Sequence, residues 1–205
     1  MSQNASLSSA PQQFPLFEIL EIVLLAGMLV IAGWLLYRCL KRQAASPDTD
    51  AVHWRAMPEV QLAMLALPLH LLWELAQFPL YILWHEGSWG EILYALGHCT
   101  LGDILILLSV FWLVSLLNRS RQWVYARHVL LNALVFTALG LGYTVYSEIV
   151  NTRVVQSWAY TELMPIVPLV EVGGTPFMQW LLISPLLVWL MRLTRSAMVQ
   201  AARVG

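Results

Sequence analysis

Five apolar stretches dominate this sequence, and each is long enough, or nearly so, to cross a lipid bilayer. Spanning the hydrocarbon takes roughly 20 mostly apolar residues, at about 1.5 Å of helix per residue. The stretches are 17–37, 60–84, 93–117, 128–148 and 177–193. Backbone groups in lipid must be satisfied internally, so each stretch is expected to be helical. The sequence therefore predicts an all-α, polytopic integral membrane helix bundle of about five transmembrane helices, forming a single membrane domain over 1–205.

Composition supports a membrane protein and limits its partners. Hydrophobic residues make up 59% of the chain and charged residues only 11%, against about 25% charged in soluble domains. The net charge of -1 gives no reason to expect a nucleic-acid partner. We expect membrane lipid as the partner, and the composition leaves an oligomer open.

The basic residues predict the orientation of the chain. Of the 11 basic residues, all except Arg153 lie in the first loop, the third loop or the C-terminal tail. In a chain of five spans these three segments lie on the same side of the membrane, opposite the N-terminal tail. Loops rich in Lys and Arg stay in the cytoplasm. We therefore expect the N-terminus outside and the C-terminus in the cytoplasm, in a bacterial cytoplasmic (inner) membrane.

The connection 149–176 differs from the other loops. It is long, it carries few charges, and it contains prolines, glycines and aromatic residues. Such a segment is too apolar for a free loop and too often interrupted by Pro and Gly for a spanning helix. It is predicted to be either a re-entrant or interfacial lid, or an outer loop resting on the lipid headgroups.

Ionisable residues inside the predicted spans are the strongest indication of a site. They cost several kcal/mol in lipid unless they are paired or hydrated, so each is a functional hypothesis. The residues concerned are His70, Glu74, His98, Asp103 and Glu148. Counting the helical rise places all of them in the outer half of the bilayer, with His70 level with Asp103 and Glu74 level with His98. We predict one polar pocket there, opening toward the outer leaflet.

Helical spacing indicates which of these side chains face each other. His70, Glu74, Gln77 and Tyr81 recur at four-, three- and four-residue intervals and should share one face. His98 and Asp103 are five residues apart and do not share a face in a straight helix.

Near the outer end of the fourth predicted span, Thr144, Glu148 and Asn151 form a second polar stripe, and Arg153 is placed to neutralise Glu148. The residues predicted to bind substrate are Trp73, Gln77, Tyr81, Asn151, Trp158 and Tyr160.

One hypothesis is an intramembrane acid-base enzyme that acts on a lipid or isoprenoid. Glu74 or Asp103 would serve as the acid and His70 or His98 as its partner, because buried carboxyls and imidazoles exchange protons near neutral pH. Glu148 would stabilise a developing cation, and aromatic faces would do the same. Isomerisation, cyclisation or hydration fits this set of catalytic residues.

Other readings use the same residues. His70, Glu74, His98 and Asp103 form an N/O ligand set for a divalent metal such as zinc, iron or manganese, and His70 with His98 could hold a haem. A small proton or metal-ion transporter is an alternative, because midplane carboxylates also carry protons. A non-catalytic membrane subunit, in which these residues only join helices, is the third.

The run YSEIVNTRVVQSWAYTELMPIVP, 146–168, followed by GGTPFMQW, 173–180, resembles a region of small bacterial carotenoid-modifying membrane proteins. Those proteins also place an acidic residue, aromatic residues and prolines around an outer loop. The resemblance covers these two segments alone and includes no motif that transfers single residues. It implies a lipid as the substrate.

Overall fold

A computed structural model describes residues 57–204 and the side chains of residues 57–195. The first predicted span, 17–37, and most of the first loop lie outside the described residues. Within them, helix α1 covers Pro58–Gln77, the short α2 covers Leu83–Glu86, and α3 covers Trp89–Leu117. Helix α4 covers Val129–Ile149 and α5 covers Gly174–Val204.

Four helical segments of the described chain are long and apolar enough to cross a membrane: Pro58–Leu80, Trp89–Leu117, Val129–Val154 and Gly174–Arg195. They correspond to the second to fifth predicted spans. Their outward-facing side chains are apolar, including Leu72 at 64% exposure and Leu130 at 78%. So large an apolar surface is stable only in contact with lipid or other protein. The protein is an integral membrane protein with a bundle of helices.

Local sequence explains where the helices begin and end. Pro58 stands at the first position of α1, where no intrahelical N–H is needed. Pro79 falls in the 3₁₀ turn Phe78–Leu80 that ends the same helix. At the start of α3, the side chains of Ser88 and Glu91 bond to each other's backbone N–H in a capping box. The span predicted as continuous over 60–84 is therefore interrupted, and Tyr81 is extended.

The core lies in the half of the bundle that the charge pattern assigns to the cytoplasm. Leu107, Phe111 and Leu187 pack there with almost no exposure. The connection expected to be a basic loop instead contains a 3₁₀ turn, Arg121–Tyr125, that inserts Trp123 into this core. The Trp123 indole N–H donates to Ser115 Oγ at 3.2 Å.

Two tryptophans near predicted helix ends are not at the surface. Trp123 and Trp180 are each 1% exposed, so neither belongs to an interfacial aromatic belt. Trp123 fills the core beside Phe136, with ring centroids 5.7 Å apart. Helix ends attract tryptophan at interfaces, but here the packing of neighbouring helices covers both rings.

The long connection after α4 is folded. A π-helical turn, Val150–Val154, extends the helix. The strands β1 (Ile166–Val167) and β2 (Val172–Gly173) then form an antiparallel hairpin. We call residues 155–173 the outer cap. The cap contains a small sheet, a departure from the all-helical expectation, and no helix among its described residues.

The outer cap is joined to the end of α1 by backbone hydrogen bonds. Ile82 N–H donates to Ala159 O at 2.9 Å, and Thr161 N–H donates to Leu80 O at 2.9 Å. These two bonds flank an antiparallel bridge between Tyr81 and Tyr160. The cap therefore packs across the outer ends of the helices as an ordered segment.

Candidate functional site

The polar residues of α1, α3 and α5 meet inside the bundle. We call His70, Glu74, Gln77, Asp103 and Gln179 the polar cluster. His70 Nδ1 lies 2.8 Å from Asp103 Oδ2. The Gln179 amide nitrogen donates to Asp103 Oδ2 at 2.7 Å and to Glu74 Oε1 at 3.1 Å. Gln77 Nε2 donates to the same Glu74 oxygen at 3.0 Å. Two carboxylates on different helices thus share one amide.

The Trp73 indole N–H fixes the direction of the hydrogen bonds in this network. The Trp73 indole N–H can only donate, and it bonds to Gln77 Oε1 at 3.2 Å and to Thr175 O at 3.2 Å. Gln77 must then present its NH₂ to Glu74 and to Gln179 Oε1, which lies 3.3 Å away. Gln179 in turn presents its NH₂ to both carboxylates. Trp73 therefore orients two successive amides toward the acids.

The same direction of hydrogen bonding assigns the tautomer of His70. Gln179 has two N–H groups, and it donates them to Asp103 and Glu74. It therefore has no N–H left for His70 Nδ1, which lies 2.9 Å from its amide nitrogen. His70 Nδ1 accordingly carries the proton and donates to Asp103. His70 Nε2 is buried without a hydrogen-bond partner. It lies in an imidazole packed edge-on against Trp180, with ring centroids 5.8 Å apart.

A third carboxylate, Glu148 on α4, is held by the outer cap. The Tyr160 hydroxyl donates to Glu148 Oε2 and accepts the Gly173 N–H at 3.0 Å. Burial, and then the nearby Glu148 carboxylate, raise the pKa of Tyr160 above its ordinary value. The hydroxyl therefore keeps its proton at neutral pH and remains a donor to Glu148.

Arg153 does not neutralise Glu148, as the sequence had suggested. Its guanidinium donates to Glu171 O at 2.5 Å and lies 3.3 Å from Glu171 Oε2. The π-helical turn carries Arg153 to the exposed surface, where it holds the turn of the β1–β2 hairpin. The prediction for this pair was wrong because it assumed a helix that simply ended at Glu148.

A cavity of about 110 Å³ joins the polar cluster to Glu148. Its lining is largely apolar and aromatic, with the three carboxylates among a few polar side chains. Residues from α1, α3, α4, α5 and the outer cap line it: Glu74, Gln77, Phe78, Tyr81, Leu83, Ala95, His98, Cys99, Gly102, Asp103, Ile106, Tyr143, Thr144, Ser147, Glu148, Trp158, Pro176, Gln179 and Trp180.

The predicted site residues take different places around this cavity. Glu74, Gln77, Asp103, Glu148 and Trp158 line it. Tyr81 also lines it although it stands beyond the end of α1, and its ring packs on Tyr160 with centroids 5.5 Å apart.

Three others stand behind the cavity wall. His70 and Trp73 act through hydrogen bonds to lining residues. Asn151 is buried but bonds back to Ser147 O at 3.0 Å.

His98 is separate from the polar cluster. It lines the rim of the cavity but is exposed, and its ring stacks on Tyr94 with centroids 5.7 Å apart. The described residues include no group of three or more His, Cys, Asp or Glu side chains placed to hold a metal ion. The structure thus does not assemble His70, Glu74, His98 and Asp103 as one ligand set, and it does not pair His70 with His98.

Gln179 is the central residue that the sequence reasoning did not select. It is 1% exposed and forms hydrogen bonds with Gln77, Glu74 and Asp103. The available signal was an amide within the fifth apolar span. Gln77 and Asn151 were predicted because each shares a helical stripe with a carboxylate of its own segment, whereas Gln179 has no ionisable residue at helical spacing within the fifth span.

Comparison with protein-family models, with curated proteins and with solved structures finds no match to this chain. Function is therefore inferred from the residues of the pocket.

Proposed function

We propose that this protein is an intramembrane acid-base enzyme that acts on a neutral, unsaturated lipid such as an isoprenoid. The observation that carries the proposal is the pair of carboxylates, Glu74 and Asp103, that share the Gln179 amide on the wall of a mostly apolar cavity. Carboxylates inside a membrane protein are costly, and among the described lining residues no Lys or Arg neutralises this pair. Their position on the wall of a mostly apolar cavity favours a chemical role.

The geometry supports proton transfer to carbon. Neighbouring carboxylates that share donors can hold one proton between them. The protonated member adds this proton to a carbon of a C=C bond, whose electron pair forms the new C–H bond and leaves a carbocation. Loss of a proton from an adjacent carbon to a carboxylate gives isomerisation. Attack of a second C=C bond on the carbocation forms a ring bond and a new carbocation, and proton loss from that cation to a carboxylate gives cyclisation. Capture by water, followed by loss of a proton, gives hydration.

Two features of the lining favour the cationic intermediate. Tyr81, Tyr143, Trp158 and Trp180 line the cavity, and aromatic rings attract cations. The Glu148 carboxylate is anchored by Tyr160 at the same cavity. None of the described lining residues is Lys or Arg, so no fixed positive charge opposes the cation.

The proposed reaction takes place at a defined depth in the membrane. The distribution of Lys and Arg supports a position of the cavity in the outer half of a bacterial cytoplasmic membrane, in a chain of five spans with an external N-terminus. The apolar stretch 17–37 would then be the additional span. A substrate dissolved in the bilayer would reach the site without crossing water.

Deuterium labelling tests the proposal. Membranes are prepared from cells that express the protein together with an isoprenoid pathway in ordinary water, the membranes are then incubated in D₂O, and their lipid extracts are compared by mass spectrometry. The wild-type protein should give a lipid that carries carbon-bound deuterium and has the mass of its precursor or of its hydrate. Glu74→Gln and Asp103→Asn should abolish this product, while Glu162→Gln, an exposed carboxylate on the outer cap, should retain it.

The alternatives give different outcomes. If the protein carried protons or metal ions across liposome membranes and gave no labelled lipid, the result would favour a transporter and reject the enzyme. Normal membrane insertion and normal product in both Glu74→Gln and Asp103→Asn would leave the carboxylates as structural groups and reject the proposal.

A further inference from the structure

The exposure of the lining residues on α3 indicates where the cavity opens. The cavity walls are formed by residues of α1, α3, α4 and α5 and of the outer cap. On α3, a Cβ added at Gly102 would meet no atom within 4 Å, and the next lining residue toward the outer end, Cys99, is half-buried. His98 is exposed. The opening thus lies along the α3 edge that borders α4.

The surroundings of this opening are apolar. Leu101 and Tyr94, on the same exposed side of α3, are 61% and 73% exposed. Side chains of this kind at such exposure on a spanning helix face acyl chains. An apolar molecule leaving the cavity past Gly102 would therefore pass into the hydrocarbon of the outer leaflet.

The outer cap closes the opposite route to water. Its backbone is bonded to the end of α1 on both sides of the Tyr81–Tyr160 bridge. Below it, Tyr160 bonds to Glu148 and to Gly173 N–H. Gly173 and Met164 of the cap are themselves buried. A ligand entering from the aqueous phase would have to break these bonds.

From these observations we infer a lateral entrance between α3 and α4, past Gly102, that admits the apolar end of a neutral lipid directly from the outer leaflet. This inference rests on the proposed function for the reaction, and it adds the route and the class of substrate. The absence of Lys and Arg from the described lining, together with three carboxylates, excludes a phosphate headgroup from the cavity. An uncharged chain end fits both the apolar surroundings of the opening and the mostly apolar lining.

The first test uses the neutral triterpene squalene as the probe. The protein is placed in nanodiscs of phosphatidylethanolamine and phosphatidylglycerol that contain squalene, then repurified, and the retained squalene is measured by mass spectrometry. Gly102→Phe should lower retention by about tenfold or more, because the ring occupies the entrance; a tenfold loss corresponds to about 1.4 kcal/mol. Gly97→Phe is the matched control, because position 97 on the same helix is also open but lies outside the lining.

The second test separates the lateral route from the aqueous route. Tyr81 and Tyr160 are a non-hydrogen-bonded antiparallel pair, and such pairs have Cα atoms close enough for a disulfide. Tyr81→Cys with Tyr160→Cys, in a chain with Cys39→Ser and Cys99→Ser, locks the cap when oxidised. Oxidised and reduced forms of this one variant should load squalene at the same rate.

Each outcome decides the inference. Equal retention by Gly102→Phe and Gly97→Phe would overturn the entrance, and so would slower loading after oxidation, which would place the route through the cap. If the wild-type protein retained no squalene, the assignment of a neutral lipid as the substrate would be overturned. Squalene retention without any deuterated product would reject the proposed reaction and leave the entrance intact. Normal deuterated product in Gly102→Phe would overturn the entrance and leave the proposed reaction intact.

Discussion

Gln179 shows how one uncharged residue organises a buried charged site. Its two N–H groups serve Asp103 and Glu74, and its oxygen accepts from Gln77. A charged donor such as Lys would neutralise one acid and remove the pair's capacity to exchange a proton. An amide satisfies the acceptors without supplying or removing charge. Gln179 is therefore a positioning residue for the two carboxylates.

Replacing Gln179 by the nearly isosteric Met should destabilise the protein and abolish the labelled product. The substitution leaves two buried carboxylates short of a donor, and an unsatisfied buried polar group costs about 1–3 kcal/mol. Thermal unfolding in detergent, followed by size-exclusion chromatography, measures the loss of stability. Met178→Leu, on the exposed neighbouring residue, serves as the control. An unchanged unfolding temperature for Gln179→Met would show that the network contributes little to the fold.

Close packing between α4 and α5 depends on one glycine. A Cβ at position 140 would overlap ring atoms of Trp180. Trp180 is 1% exposed and also packs against His70 of the polar cluster. Small residues let membrane helices approach closely, since no hydrophobic driving force acts between them in lipid. Gly140 thus couples helix packing to the shape of the site.

Gly140→Ala should lower the unfolding temperature by several degrees. The added methyl group forces Trp180 or the backbone to move, and overpacking of this kind costs about 1–3 kcal/mol. Gly142→Ala is the matched control on the same helix, because a Cβ there meets no atom within 4 Å and Ala favours a helix over Gly. Equal stability of the two variants would contradict the tight contact between Gly140 and Trp180.

At the scale of the whole molecule, the described helices place two kinds of surface at opposite ends. One end carries the outer cap with its few charges. The other carries arginines that bond to the protein: Arg121 to Glu59 at 2.7 Å and Arg192 to Val124 O at 2.8 Å. Basic residues next to spanning helices remain in the cytoplasm. We therefore predict that the cavity lies in the outer half of the membrane.

Reporter fusions should give an alternating pattern along the chain. Alkaline phosphatase, which is active only outside the cytoplasm, should be active when fused after residue 86 or residue 170. It should be inactive after residue 122 or residue 205, where a green fluorescent protein fusion should fluoresce instead. The positive-inside rule is the physical reason. Phosphatase activity at residue 205 would invert the predicted orientation.

The bundle and the shared level of His70 and Asp103 were predictable from the sequence. The four described spans lie where hydropathy placed them, and His70 and Asp103 are level and in contact, as helical rise had indicated. Both predictions depend only on fixed helix geometry and on the cost of polar groups in lipid. The roles of these residues, and the span at 17–37, remain predictions.

Contacts between distant segments were decided by the tertiary structure alone. Gln179 reached Asp103 across 76 positions, Tyr160 rather than Arg153 bonded to Glu148, and Trp123 turned into the core. Each depends on how helices rotate and how a connection folds back, which periodicity within one segment does not encode. The sequence by itself determined that polar groups must be sheltered from lipid. Packing of the helices determined which groups shelter one another.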